Sequence, residues 1–222
     1  MSRIILTLAY IFVPFGHASA QVAVKAKSEF YPLELGHRWS YRFSDKDLPA
    51  LRNAKDIVIE VEREENVVFK EPAKEGKDID RAYVGYILKH TNGDKVSRDQ
   101  VVVIDKSVQR LAVAGAKLTP PQVLFQPVQK WESDSVGRLG KVHGVSTVKP
   151  DTITIGERNM PTYLVAFRSH KTDDEKVEVD TWYAKDVGMV KQTIRARNID
   201  RTLELRDLRD AKGTVLFSTE KK

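Results

Sequence analysis

The side chains able to do acid–base or metal chemistry are few and scattered. Beyond its first twenty residues the chain has four histidines, His37, His90, His143 and His170. None stands in a His-x-x-x-His or His-Glu-x-x-His arrangement, so a metal site would need ligands gathered from separate strands, and no metal is expected. His37 and His90 sit beside turns, where a surface role is the simpler account. Serine is dispersed, with no Gly-x-Ser-x-Gly turn to hold a nucleophile, and no glycine-rich loop is shaped to cradle a phosphate. There is no cysteine, which removes thiol catalysis and cysteine–metal sites. Asp173-Asp174-Glu175 gathers the carboxylate ligands that Ca²⁺ takes, but without Asp-x-Asp-x-Asp-Gly spacing it reads as a solvated hairpin turn, and Glu64-Glu65 reads the same way. Neither a catalytic residue nor a cofactor is expected, and the chain does not read as an enzyme.

Aromatic residues are the more informative set. Trp39, Tyr41, Tyr83, Phe125, Trp131, Tyr163 and Trp182 recur on alternating apolar patterns, which admits two uses. They fill a core, the commoner fate of aromatics at such positions, or they line a concave sheet face that holds an apolar ligand. Lys191, Arg195 and Arg197 alternate along one segment and form a candidate basic interaction surface.

These groups must be positioned by strands, because no long segment repeats with helical period. Trp39, Tyr41 and Phe43 alternate on one strand, and Ile57, Ile59 and Val61 on the next. Asn66 is expected to turn the chain, and Lys70 to Asp80, with Pro72, Gly76 and dense charge, to form a surface loop. Arg81 to His90 is apolar on both faces, as in a central strand. Thr91-Asn92-Gly93-Asp94 predicts a type I′ hairpin turn with positive φ at Asn-Gly. Gly115 to Pro127, with Pro120-Pro121, reads as an apolar crossing loop. Further strands are expected at Trp131 to Leu139, Val142 to Val148, Thr152 to Ile155 and Pro161 to Ser169. The remainder are Lys176 to Ala184, Met189 to Arg197, Arg201 to Leu208 and Val215 to Phe217. A weak echo of Tyr31-Pro32 and Trp39 in Phe125-Gln126-Pro127 and Trp131 suggests two similar halves meeting near 115–130.

The opening residues carry one basic residue, Arg3, an apolar run from Ile4 to Phe15, and small residues up to Ala20. This is the pattern of a secretory signal peptide cleaved after Ala20, too short in its apolar part to span a bilayer. A loose arm over 21–29 and a single β-domain over 30–222 are expected to follow, in the periplasm or outside the cell, with no later transmembrane segment. Loss of Arg3 would bring the formal charge from +6 to +5 (36 basic against 31 acidic residues). Basic and acidic residues are interspersed, which argues against nucleic-acid binding.

Tyr31-Pro32-Leu33, Gly36, Trp39 and Tyr41 form an opening motif, and Trp182-Tyr183-Ala184 with Val187-Gly188-Met189-Val190-Lys191 a hairpin motif. Together they resemble a broad group of exported bacterial β-proteins, remotely similar to the half-barrel lipoprotein and lipid carriers of the cell envelope. A third motif of that group, a Pro-Ala-Gly turn, is absent from Ile153 to Met160. The resemblance implies a curved antiparallel sheet, half-barrel or open barrel-like, and an envelope location, with no chemistry attached. The expectation is an all-β envelope protein that binds an apolar or lipid-like small molecule; the alternative is a structural module that binds another envelope protein.

Overall fold

The computed structural model describes residues 23–45, 56–72, 78–137, 140–170, 176–197 and 199–219. The leader, the 46–55 connection and the Thr172–Glu175 turn lie outside the described residues. Thirteen antiparallel strands form one sheet, and no helix occurs among the described residues, in agreement with the all-β expectation.

The chain winds as a meander. β1 (Arg38–Asp45), β2 (Ile57–Pro72), β3 (Asp78–Asn92), β4 (Lys95–Ile104), β5 (Ser107–Val113) and β6 (Ala116–Phe125) pair in sequence order. So do β7 (Lys130–Gly137), β8 (Gly140–Ile155), β9 (Arg158–Ser169), β10 (Glu178–Ala184), β11 (Gly188–Ala196) and β12 (Ile199–Arg209). β1 pairs with β12, joining the two runs, and β13 (Val215–Ser218) adds to β12. The sheet therefore curls into a nearly closed barrel with one seam, between β6 and β7, where neighbouring strands make no ladder. Closing every other strand against a neighbour satisfies the backbone groups that an open sheet would leave unpaired.

Alternation along each strand sends one set of side chains inward. Trp39 and Tyr41 of β1, Val61 of β2, Leu88 of β3, Val101 of β4 and Leu205 of β12 belong to one buried cluster that fills the barrel. A smaller cluster of Tyr83, Val102 and Leu111 packs on the opposite face of the first run of strands. The segment preceding β1 is bound to the sheet. Val24 exchanges backbone hydrogen bonds with Ala82 and Val84, both 2.9 Å, along the part of β3 that extends past β4.

Four expectations about local structure are corrected. Asn66 does not turn the chain; it faces Val84 within an unbroken β2, whose irregularity is a bulge at Glu62. The hairpin after Asn92 turns one residue later than an Asn-Gly turn would, since Asn92 pairs with Lys95 and Gly93 alone has positive φ, 59°. The proline-containing stretch expected as a loop is strand β6. Its two prolines are tolerated because β6 is an edge strand, and they fall where Leu111 faces the extra residues 118–121 between two ladder pairs. The stretch from Lys70 to Asp80, expected as a loop, is strand at both ends, where Lys70, Glu71 and Pro72 pair with Asp80, Ile79 and Asp78.

Candidate functional site

The β10–β11 hairpin and the segment entering β1 are built against each other. Asp186 and Gly188 take positive φ, 59° and 94°, to make the turn. A Cβ on Gly188 would lie 3.3 Å from the Trp39 ring nitrogen and 3.4 Å from Pro32, so glycine is required by both conformation and space. Trp39 Nε1 donates to the Val187 carbonyl at 2.7 Å, and the Tyr41 hydroxyl donates to the Met189 carbonyl at 2.9 Å. Tyr31 packs between Trp39 and Tyr183, each with ring centres 6.1 Å away. The two sequence motifs are thus two halves of one packing unit, and burial raises the Tyr41 and Tyr183 phenols well above their ordinary pKa, keeping them neutral donors.

The aromatic residues singled out in the sequence divide by location. Trp39, Tyr41 and Phe125 are buried in the barrel, with Trp131 half-buried against the same cluster. Tyr83 lies in the other cluster on the opposite face. Trp182 is half-buried against the same cluster as Trp131, donating to Asp151 at 2.8 Å with the Lys191 ammonium over its ring. Phe125 and Tyr163 come together with Phe30, which the sequence reading left out of the candidate set. Phe30 stacks at 5.1 Å from Phe125 and edge-on at 5.0 Å from Tyr163.

These three rings form the floor of a cleft at the seam. Its walls are Pro127, Val128 and Gln129 of the β6–β7 connection and Val148 to Pro150 of β8, and it has a volume of ≈ 540 Å³. A second cleft of the same size shares Phe30, Pro150 and Tyr163 and continues toward Lys185. Tyr163 is 38% exposed and Val128 47%, so apolar surface is presented to solvent where the barrel fails to close. A volume between about 300 and 1,000 Å³ suits a small-molecule ligand. The lining is mostly aromatic and aliphatic, with Gln129 and the exposed Lys149 on its walls and no buried charge, which suits an apolar one.

The basic candidates are differently placed. β11 lies inside the sheet between β10 and β12, so Lys191 and Arg195 are not on an edge. Lys191 stands 3.8 Å from Glu204, and Arg195 3.5 Å from Asp180 and 3.9 Å from Glu178. Arg197 follows β11 in a turn and is exposed. Acidic residues on the flanking strands thus match much of the row's charge.

Among the buried polar groups, one forms an ion-pair network across β3, β4 and β5. Asp99 is 6% exposed; its carboxylate is 3.1 Å from Arg110 Nη1, accepts the Ala114 N–H at 3.1 Å, and stands 3.5 Å from His90 Nε2. The Arg110 guanidinium also donates to Gln122 of β6. Burial lowers the His90 pKa, outweighing the neighbouring Asp99 carboxylate that would raise it. The folded protein therefore takes up this proton at lower pH than the unfolded chain. Stability is intact above about pH 6.5 and falls as pH drops through the window beneath it. Urea titrations from pH 7 to pH 5 should show that decline, and His90→Gln should flatten it; an unchanged slope in the variant would refute His90 as its source.

Fold and site define an all-β, nearly closed meander barrel with an apolar cleft at its one open seam. No protein-family profile matches the chain, and no curated protein matches it. Two solved structures are similar in shape. A candidate lipoprotein of Parabacteroides distasonis shares 12% identity over 83% of this chain and 100% of its own, with a TM-score of 0.45. A candidate exported protein of Bacteroides fragilis with a YmcC-like fold shares 9% over 82% and 100%, with a TM-score of 0.45.

Proposed function

We propose that this chain is an exported, non-enzymatic binding protein of the bacterial envelope that takes an apolar, lipid-like molecule in the cleft at the β6–β7 seam. The observation that carries the reading is the ring group of Phe30, Phe125 and Tyr163, with Tyr163 open to solvent, flooring a ≈ 540 Å³ cleft while the barrel interior is packed. Export is supported by the leader pattern before Gln21, with its apolar run and small residues at Ala18 and Ala20. The location at the seam has a physical basis: a barrel filled by its own side chains offers ligand space only where strands part. The alternative, docking of another protein through Lys191, Arg195 and Arg197, gains less support because acidic neighbours already face two of the three.

The test is a titration of the purified protein with an environment-sensitive apolar fluorophore. One saturable site is expected. Tyr163→Ser and Val128→Asp should each weaken it on the order of tenfold, the effect of losing about 1.4 kcal/mol of apolar contact. Val96→Ala, exposed on β4 and no part of the cleft lining, should leave it unchanged. Unsaturable binding, or affinity unchanged from the parent in both cleft variants, would overturn the proposal.

A further inference from the structure

Three strands at the seam-side end of the sheet bring together residues that are distant in sequence. On β7, Glu132 and Asp134 are two apart and share a face. Across the ladder His143 of β8 stands directly opposite Asp134. His170 follows the end of β9 and donates its backbone N–H to the His143 carbonyl at 3.2 Å. Gly144 makes this approach possible, since a Cβ there would overlap the Arg168 carbonyl of β9. The face is the outer one, opposite that of Ser146 and Val148, so the group is open to solvent and separate from the apolar cleft.

The ring geometry is that of a ligand set. His143 Nδ1 is 3.0 Å from Asp134 Oδ1, and its Nε2 is 3.6 Å from Glu132 Oε2. His170 Nε2 is 3.1 Å from the same Glu132 oxygen. One donor atom from each of Glu132, His143 and His170 lies within 4.8 Å of the others. Around a tetrahedral zinc ion with bonds of about 2.0–2.2 Å, ligand atoms stand about 3.3 Å apart, between the two distances seen here. A proton held on Nδ1 toward Asp134 would leave His143 Nε2 as the lone-pair donor, aimed at the point that Glu132 and His170 also face. A carboxylate holding the far nitrogen of a ligating histidine is also what orients such rings in metal sites.

We infer that Glu132, His143 and His170 form a binding site for a divalent transition metal of the zinc type, with Asp134 positioning His143. Imidazole and carboxylate together suit zinc or copper better than calcium or magnesium, which take oxygen ligands. Three protein ligands leave a coordination position for water or for a group on another molecule.

The site is tested on the full mature chain, without a histidine tag, by calorimetric titration with ZnCl₂. One Zn²⁺ per chain is expected. His143→Ala and His170→Ala should each weaken binding at least about tenfold, and the double variant should abolish it. Asp134→Asn, which removes no ligand, should weaken it about 10- to 100-fold. Co²⁺ substitution should give the visible absorption of a four-coordinate ion, lost in the double variant. Absence of stoichiometric binding, or undiminished affinity in the double variant, would overturn the assignment. His143 and His170 are exposed, so circular dichroism of their variants should match the parent.

Discussion

Trp39→Ala should destabilise the protein by about 3–5 kcal/mol, the range for removing a large aromatic ring from a packed core. Trp39 is 2% exposed and stands between Ile59 of β2 and Leu208 of β12, at the junction where first and last strands of the meander meet. Its ring also touches the segment before β1 through Tyr31 and His37. The loss therefore leaves a cavity bounded by three parts of the fold, which cannot all collapse into it. Trp39→Phe separates the contributions. Phenylalanine keeps much of the apolar area but leaves the Val187 carbonyl without its donor, a loss of about 1–3 kcal/mol. Urea unfolding monitored by circular dichroism should rank parent, Phe and Ala in that order. Equal stability of parent and Trp39→Phe would show that the hydrogen bond to the hairpin adds nothing.

That arrangement explains why the hairpin from Thr181 to Lys191 stands out in the sequence without being a functional site. Its glycine meets Pro32 and Trp39, its Tyr183 packs on Tyr31, and its Val187 and Met189 carbonyls take hydrogen bonds from Trp39 and Tyr41. Most strands were legible for the same reason: period-two alternation reports directly which side chains face the core. β6 was hidden because proline usually excludes a strand, an argument that fails at an edge. The seam cleft was half legible, through Phe125 and Tyr163. Phe30 was missed because it belongs to no strand and reaches the cleft only through the path of the preceding segment. The cluster of Glu132, His143 and His170 could not be read from spacing, since it depends on the β7–β8 register. The pairing of Gly137 with Gly140 sets that register and aligns Asp134 with His143.

Asp99→Ala should be comparably costly, about 3–5 kcal/mol, for an electrostatic reason. The substitution strips Arg110, whose side chain is 19% exposed, of its carboxylate and leaves the Ala114 N–H without an acceptor. A guanidinium held in low-dielectric surroundings by Gln122 alone has no compensating charge. Arg110→Met should destabilise for the converse reason, since it strands the Asp99 carboxylate beside a His90 that burial keeps neutral at pH 7. The double variant Asp99→Val with Arg110→Met removes both charges and restores apolar volume. It should therefore lose much less than the sum of the single losses, with a coupling of about 2–3 kcal/mol. Strict additivity would mean that the two groups act independently and that packing, not charge, accounts for each loss. Because Arg110 and Gln122 link β5 to the edge strand β6, the single variants should also speed amide exchange in β6 more than in β12. The ion pair would then be what holds one lip of the seam in place beside the cleft.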